Sequence, residues 1–312
     1  MAQAITLDRV TKKYGETPAV RDLSMQVGSG EMFGLIGPDG AGKTTTIRLM
    51  CGLLAADSGS VRVLGRDPVK QHLEVTSSTG YLSQRFSLYG DLTVDENIAF
   101  FAEIHGLRMS DSRIRHRRTR LLELTQLAAF RDRLADQLSG GMKQKLALAC
   151  TLVHEPKIIL LDEPTTGVDP VSRREFWKLL SEFLMHGITI LMATPYLDEA
   201  ERCARVALLH EGQLLALDTP AALRATLHGE VMEVIAPERD RATEALERLP
   251  GVVEVQLFGE RAHARLEAGS ALADPERLAA ALKSAGIATE SVRHVPTSLE
   301  DVFIARVTEG KI

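Results

Sequence analysis

The chain has 312 residues, 45% hydrophobic and 25% charged, a globular composition with room for about two domains. Its apolar runs fall well short of the roughly 20 residues of a membrane-spanning helix, and its start lacks a basic stretch followed by an apolar one, so neither a transmembrane segment nor a signal peptide is expected. The net charge of −5 lies wholly in residues 228–312, which carry 10 basic and 15 acidic side chains against 27 and 27 before them; with 4% aromatics, this provides neither the basic field nor the stacking platform of a nucleic-acid binder.

Two strand-like segments open the chain, one holding Ile5, Leu7 and Val10, the next Leu23, Met25 and Val27, closed by the turn signal Gly28-Ser29-Gly30. An apolar run over Met32–Ile36 leads into a glycine loop at 37–42 and a helical pattern from Lys43 through Ile47, Leu49 and Met50. Residues 92–150 read as mostly helical. Within them Arg113, Arg115, Arg117, Arg118 and Arg120 form a basic run beside His116. Such a run is ordinarily one solvated helix face; lipid headgroups or an acidic partner are the other readings. Residues 158–161 and 188–192 are short Ile- and Leu-rich runs expected as buried parallel strands, with helices at 171–185 and 197–203. The alternation implies an α/β domain.

From about residue 228 the order changes to strand 231–236, helix 240–249, strands 252–258 and 261–266, helix 275–285 and strand 287–295. That is the order of a small ferredoxin-like α+β domain. A last helix follows, with Thr297 and Glu300 spaced as a capping box. Cys51, Cys150 and Cys203 are widely separated and lack metal-ligand spacing, so they read as reduced core residues of a cytosolic protein.

The loop Gly37-Pro38-Asp39-Gly40-Ala41-Gly42-Lys43-Thr44 fits the phosphate-loop pattern, and it stands between a strand and a helix, the context that pattern requires. Glycines let backbone N–H groups curl around phosphate oxygens, and the helix N-terminus adds positive partial charge. Lys43 is placed to reach the β- and γ-phosphates, and the hydroxyl of Thr44 to ligate Mg²⁺. The bland reading is a glycine-rich strand–helix turn. Farther on, the run 157–161 ends in Asp162-Glu163-Pro164. A buried strand delivers such carboxylates to the sheet edge where ligands bind. Asp162 suits Mg²⁺, directly or through water, and Glu163 suits deprotonation of an attacking water. Alone, the pair would be an ordinary solvated strand end.

Between these motifs lies Leu138-Ser139-Gly140-Gly141-Met142-Lys143-Gln144-Lys145, in which Ser139 suits the N-cap of a helix starting near Gly140. Taken together and in this order, the motifs over residues 3–220 resemble the ATP-binding-cassette (ABC) ATPases. The resemblance implies a P-loop NTPase cassette with a RecA-like core, an antiparallel β subdomain and a helical signature subdomain at about 86–150, within a nucleotide-binding domain at 1–222. It implies ATP and Mg²⁺ as ligands, the whole loop from Gly37 to Thr45 around the phosphates, and Tyr14 stacked on adenine. Gln84 matches the glutamine that contacts Mg²⁺ and the attacking water and moves with the transport partner. Ser139, Gly140 and Gly141 match the signature that clamps the γ-phosphate held by a second cassette, and Asp169 falls at the dimer seam. A homodimer is the simplest arrangement, with a heterodimer as the alternative. Phe86, Leu88, Tyr89 and Leu92 match the stretch that receives the coupling helix of a membrane permease; burial inside the helical subdomain is the other reading.

The closing segment Pro296-Thr297-Ser298-Leu299-Glu300-Asp301-Val302-Phe303 resembles the ATP-binding subunits of ABC-2-type exporters, drug-resistance exporters among them, and makes 228–312 an accessory or regulatory domain. That implies a separate ABC-2-type permease, peripheral attachment at the cytoplasmic face of the membrane, and export of drugs or other hydrophobic compounds. The alternative is a cassette acting as a nucleotide switch without transport. Two residues depart from the family pattern. Pro195 stands where most cassettes carry a switch histidine, and proline has neither a side-chain donor nor an N–H, so a slower hydrolysis is expected. Thr194 or Tyr196 would be the replacement hydroxyl. Asp39 stands where asparagine is usual, and is expected to point outward.

Overall fold

The computed structural model describes residues 2–84 and 88–309, so Phe86 lies outside the described residues. The chain divides into two compact units, 1–220 and 221–312. The first opens with β1 (Gln3–Tyr14) and β2 (Thr17–Gly28), then β3 (Met32–Ile36), α1 (Lys43–Met50), β4 (Ser58–Val63), α2 (His72–Thr76) and β5 (Thr79–Leu82). A helical stretch follows, α3 (Val94–Ile104), α4 (Ser112–Leu124) and α5 (Gly140–Leu152). The core then resumes with β6 (Ile158–Asp162), α6 (Pro170–Met185), β7 (Thr189–Thr194), α7 (Leu197–Ala200), β8 (Arg205–His210) and β9 (Gln213–Asp218).

Two sheets result. β1, β2 and β4 form a three-stranded antiparallel sheet in the order β2-β1-β4. The other sheet runs β5-β6-β7-β3-β8-β9, parallel except for β9. Its central strands β3, β6 and β7 are buried along their whole length, which is why they read as unbroken apolar runs rather than alternating ones. One core joins the two sheets, with Leu7, Leu23, Phe33, Leu35, Ile47 and Leu160 among its members. The parallel strands all end at one edge, and there the phosphate loop follows β3 and the acid pair closes β6.

Local signals explain the helices around that edge. Thr93 and Glu96 form a capping box on α3, Ser139 Oγ accepts from Met142 N (3.3 Å) at the start of α5, and Asp169 accepts from Val171 and Ser172 N (both 3.0 Å) at the start of α6. α7 ends at Ala200, shorter than the pattern implied, because its last backbone bonds turn back toward Cys203. The arginine run on α4 is not one solvated face. Arg117 binds Glu155 (2.5 Å) and the Val153 carbonyl (2.9 Å), and Arg118 binds Asp95 (2.9 Å), so these two tie α4 to its neighbours while Arg113, Arg115 and Arg120 stay exposed. Tyr89 is exposed yet meets the edge of Phe100 at 4.6 Å, and Leu88 and Leu92 are half-buried. All three cysteines are free thiols, and burial pushes Cys51 and Cys203 up to about 12.

The second unit follows α8 (Pro220–Ala225) with β10 (Glu230–Ile235), α9 (Arg239–Glu247), β11 (Val252–Phe258), β12 (Arg261–Leu266), α10 (Pro275–Ser284), β13 (Ser291–Val295) and α11 (Leu299–Glu309). The four strands pair antiparallel in the order β11-β12-β10-β13, the ferredoxin-like arrangement. One face packs on α9 and α10 around Met232, Val234, Leu246, Leu278 and Leu282. On β10 the buried Glu233 meets Arg293 (2.7 Å) and Arg261 (3.4 Å), and the Arg293 bond holds its carboxyl below the usual range. His263 reaches Asp301 at 3.1 Å, tying α11 to the sheet. The capping box of α11 sits one residue later than its spacing implied: Ser298 N donates to Asp301 Oδ2 (2.8 Å) and Asp301 N to Ser298 Oγ (3.2 Å). An aspartate is short enough to close the same ring. β13 starts four residues later than the apolar pattern implied, because Ile287 belongs to the core under α10.

Candidate nucleotide site

The loop between β3 and α1 is shaped by close backbone approach. A methyl on Gly37 would overlap the Leu209 carbonyl, and one on Gly42 would overlap the Ala19 carbonyl. Gly42 also adopts φ +97° as the N-cap of α1. Only glycine serves at both positions. Asp39 and Gly40 are exposed at the tip, Ala41 is buried, and Thr45 is half-buried on the first turn of α1. The Asp39 carboxylate therefore faces solvent.

Lys43 folds back over the loop. Its ammonium donates to the carbonyls of Gly37 (2.9 Å) and Pro38 (3.0 Å) and pairs with Glu163 at 3.1 Å, both side chains being buried. Gln84 Nε2 donates to the other Glu163 oxygen at 3.0 Å. Thr44 Oγ1 donates to Asp162 Oδ1 at 3.0 Å, and Tyr81 reaches Oδ2 at 3.4 Å. Burial pushes the Asp162 carboxyl above its usual range; the Thr44 bond partly opposes this and the Glu163 charge adds to it. Gly37, Lys43, Thr44, Gln84, Asp162 and Glu163 thus form one connected cluster.

Glu163 occupies a strained backbone position, φ +51°, rare for a residue with a Cβ. Its N–H donates to the Ala193 carbonyl on β7 (2.9 Å). Tyr14 is 49% exposed at the end of β1. Ser139 and Gly140 are exposed, and Gly141 touches α6, since a methyl there would overlap Ser172 Oγ. Asp169 is exposed and caps α6. Among the described residues these four make their contacts around α5 and α6 rather than with the phosphate loop.

Of the two hydroxyls near Pro195, that of Thr194 is turned away from such work. The Thr194 hydroxyl is fully buried and donates inward to Glu199 Oε2 at 2.7 Å. The Tyr196 ring lies 4.9 Å from the Arg173 guanidinium carbon. Sequence reasoning passed over Glu199 and Tyr81. Glu199 sits in an apparently ordinary acidic stretch, Leu197-Asp198-Glu199-Ala200-Glu201, and only its burial distinguishes it.

The pieces fit a nucleoside triphosphate and its metal. The glycine loop runs into the N-terminus of α1, where backbone N–H groups and the helix dipole suit a phosphate chain. Thr44 and a buried, charge-disfavoured Asp162 present hard oxygen donors of the kind Mg²⁺ takes. This is a P-loop nucleotide-binding fold with an added helical subdomain. Residues 20–166 match the ABC transporter family, and residues 219–307 match the C-terminal domain of DrrA1-3-like ATP-binding proteins. The chain is 48% identical over 235 residues to the probable multidrug ABC transporter ATP-binding protein YbhF of Escherichia coli (strain K12), covering 75% of this chain and 40% of that protein. It is 38% identical over 304 residues to the Nod factor export ATP-binding protein I of Paraburkholderia xenovorans (strain LB400), covering 96% of each. Among solved structures, the dimeric bacterial ABC transporter cassette MJ0796 matches with a TM-score of 0.62 and 27% identity, over 69% of this chain and 98% of that one. The chain belongs to the family of ABC transporter ATP-binding proteins.

Proposed function

We propose that this chain is the ATP-hydrolysing subunit of an ABC-2-type exporter whose membrane-spanning part is a separate polypeptide. The observation that carries the reading is the buried cluster of Lys43, Gln84 and Glu163 beside Thr44 and Asp162. Lys43 and the N–H groups from Gly37 to Thr45 hold the phosphates, and Tyr14 stacks on the base. Thr44, Asp162 and Gln84 hold Mg²⁺, which when bound neutralises charge on the phosphate oxygens. Phosphate oxygens compete with Glu163 for the Lys43 ammonium. Once released, the Glu163 carboxylate accepts a proton from water oriented by Gln84. Ser139 and Gly140, exposed with Asp169, and the buried Gly141 beside them complete the site of a second cassette, a reading that the dimeric relative supports.

Pro195 leaves this chain's own phosphate site without the usual donor, so turnover is slower than in a histidine-bearing cassette. Residues 1–222 serve as the nucleotide-binding domain and 228–312 as an accessory domain. None of the helices among the described residues is long and apolar enough to cross a membrane. The chain attaches peripherally at the cytoplasmic face through its permease, and the name of the multidrug relative favours drugs or other hydrophobic compounds as cargo. Co-reconstitution with the permease in vesicles tests this: ATP-dependent phosphate release should rise on permease binding and vanish in Glu163→Gln. The inward-turned Thr194 keeps one second reading in play, a nucleotide switch that binds but scarcely hydrolyses ATP. Absence of phosphate release with ATP-driven dimerisation intact would favour it.

A further inference from the structure

Glu199 is 1% exposed and gathers four donors. Oε1 accepts from Thr165 Oγ1 (2.7 Å), Arg173 Nε (2.7 Å) and Trp177 Nε1 (3.4 Å), and Oε2 from Thr194 Oγ1 (2.7 Å). A buried carboxylate with this many partners is a rigid anchor, since each donor would be costly to leave unpaired. Two of the donors flank Glu163. Thr165 lies two residues after it. Thr194 follows Ala193, whose carbonyl accepts the Glu163 N–H at 2.9 Å. The left-handed backbone of Glu163 is therefore bracketed on both sides by hydroxyls bound to one carboxylate. The other two donors lie on α6, one turn apart. Arg173 is further held by two bonds to Asp198 (3.0 and 3.1 Å). At its N-terminus α6 abuts Gly141, and Lys145 of α5 pairs with Glu175.

We propose that Glu199 is a positioning residue that holds Glu163 in its strained, reactive placement by anchoring Thr165 and Thr194 together to α6. Strained backbone persists only where its surroundings over-determine it, and Glu199 supplies that constraint here. Through Arg173 the same anchor joins Glu163 to the helix that carries Ser172 and Asp169, so a shift at the signature end of α6 moves the base. The proposal rests on the assignment of Glu163 as the base.

The test uses the full chain, with Thr165→Val, Thr194→Val, the double variant, Glu199→Gln, and Glu199→Gln combined with Arg173→Met. The expected result is kcat down about tenfold or more in Glu199→Gln, and several-fold in each threonine variant, with KM for ATP within twofold. The double threonine variant should fall far less than the product of the single effects. Arg173→Met removes the cation that Glu199→Gln leaves with the exposed Asp198 as its charged partner in place of a buried carboxylate, and should restore melting temperature but not kcat. Amide hydrogen exchange at Glu163, Thr165 and Thr166 should quicken in every variant, a readout independent of turnover. Recovery of kcat along with melting temperature, or threonine variants with wild-type kcat and wild-type exchange, would overturn the proposal. Glu163→Gln is the control: full turnover in it removes the base assignment, whereas abolished turnover with an inert Glu199 series removes only the positioning role.

Discussion

The pairing of Lys43 with Glu163 makes a prediction of opposite sign for binding and for chemistry. The charges lie 3.1 Å apart with 4% and 8% exposure. At an effective dielectric constant of about 20 they attract by about 5 kcal/mol before desolvation is subtracted. Breaking a buried pair by removing one partner costs about 3–5 kcal/mol. In Glu163→Gln the loss should be smaller, because Lys43 keeps the Gly37 and Pro38 carbonyls and the new amide oxygen still accepts from Gln84. A destabilisation of about 2 kcal/mol is expected in denaturant titrations without nucleotide. Phosphate then meets a lysine with one competitor fewer, so most of that loss should return as roughly 5- to 30-fold tighter ATP binding, equal to about 1–2 kcal/mol. Turnover should fall by about 10²-fold or more, as for the loss of a general base. Calorimetric titration with ATP and Mg²⁺, beside a phosphate-release assay, reads all of this. Unchanged or weaker ATP binding in a folded variant would refute the competition argument.

Pro195→His restores a donor at the end of β7 and should raise turnover several-fold with little change in KM; a wild type already as fast as its variant would show that proline does not limit the rate. Gly42→Ala places a methyl against the Ala19 carbonyl at φ +97°, at a cost of about 1–3 kcal/mol. Nucleotide binding should vanish in calorimetry while the circular dichroism spectrum stays near wild type. His154, stacked on His105 at 3.7 Å, is lowered from 6.5 to about 4, first by burial and then by its neighbour. Its depressed value means that the unfolded chain binds a proton the folded chain refuses. Stability is fully present above pH 6.5 and falls as the pH drops toward 4. His154→Gln should flatten that slope in denaturant midpoints; an unchanged slope would exclude the pair as its source.

What could be read from the sequence depended on whether a residue's task was local. The phosphate loop, the Ser139 cap and the order of strands in the second unit follow from spacing, because glycine torsions, capping bonds and alternation act over a few residues. β4, β5 and β8 gave no comparable signal, since they gain their definition from pairing with β1, β6 and β3. The arginine run misled for the same reason: its periodicity marks a helix, but Asp95 and Glu155, which bind Arg118 and Arg117, are distant in sequence. Glu199 shows the limit most clearly. Three of its four partners, Thr165, Arg173 and Trp177, are 34, 26 and 22 residues away, and nothing in a short window separates it from the exposed Asp198 beside it.

Two adjacent carboxylates at one strand end acquire different chemistry from what faces them. Asp162 points at the hydroxyls of Thr44 and Tyr81, and among the described residues it forms no salt bridge; burial raises its carboxyl, so a divalent cation is the partner that would restore its charge. Glu163 points at Lys43 and Gln84 and is already charge-compensated, so what it awaits is release rather than neutralisation. The alternation of a β-strand directs Asp162 to one face of the sheet, and the left-handed turn at Glu163 swings the next residue away from the position a regular strand would give it. On the roles proposed above, a metal ligand and a proton acceptor can then stand side by side without sharing one partner. A strand that simply continued would send the second carboxylate into the opposite face, away from the phosphate loop. The strain at Glu163 is what makes the division of labour possible, and the anchoring around Glu199 is what sustains it.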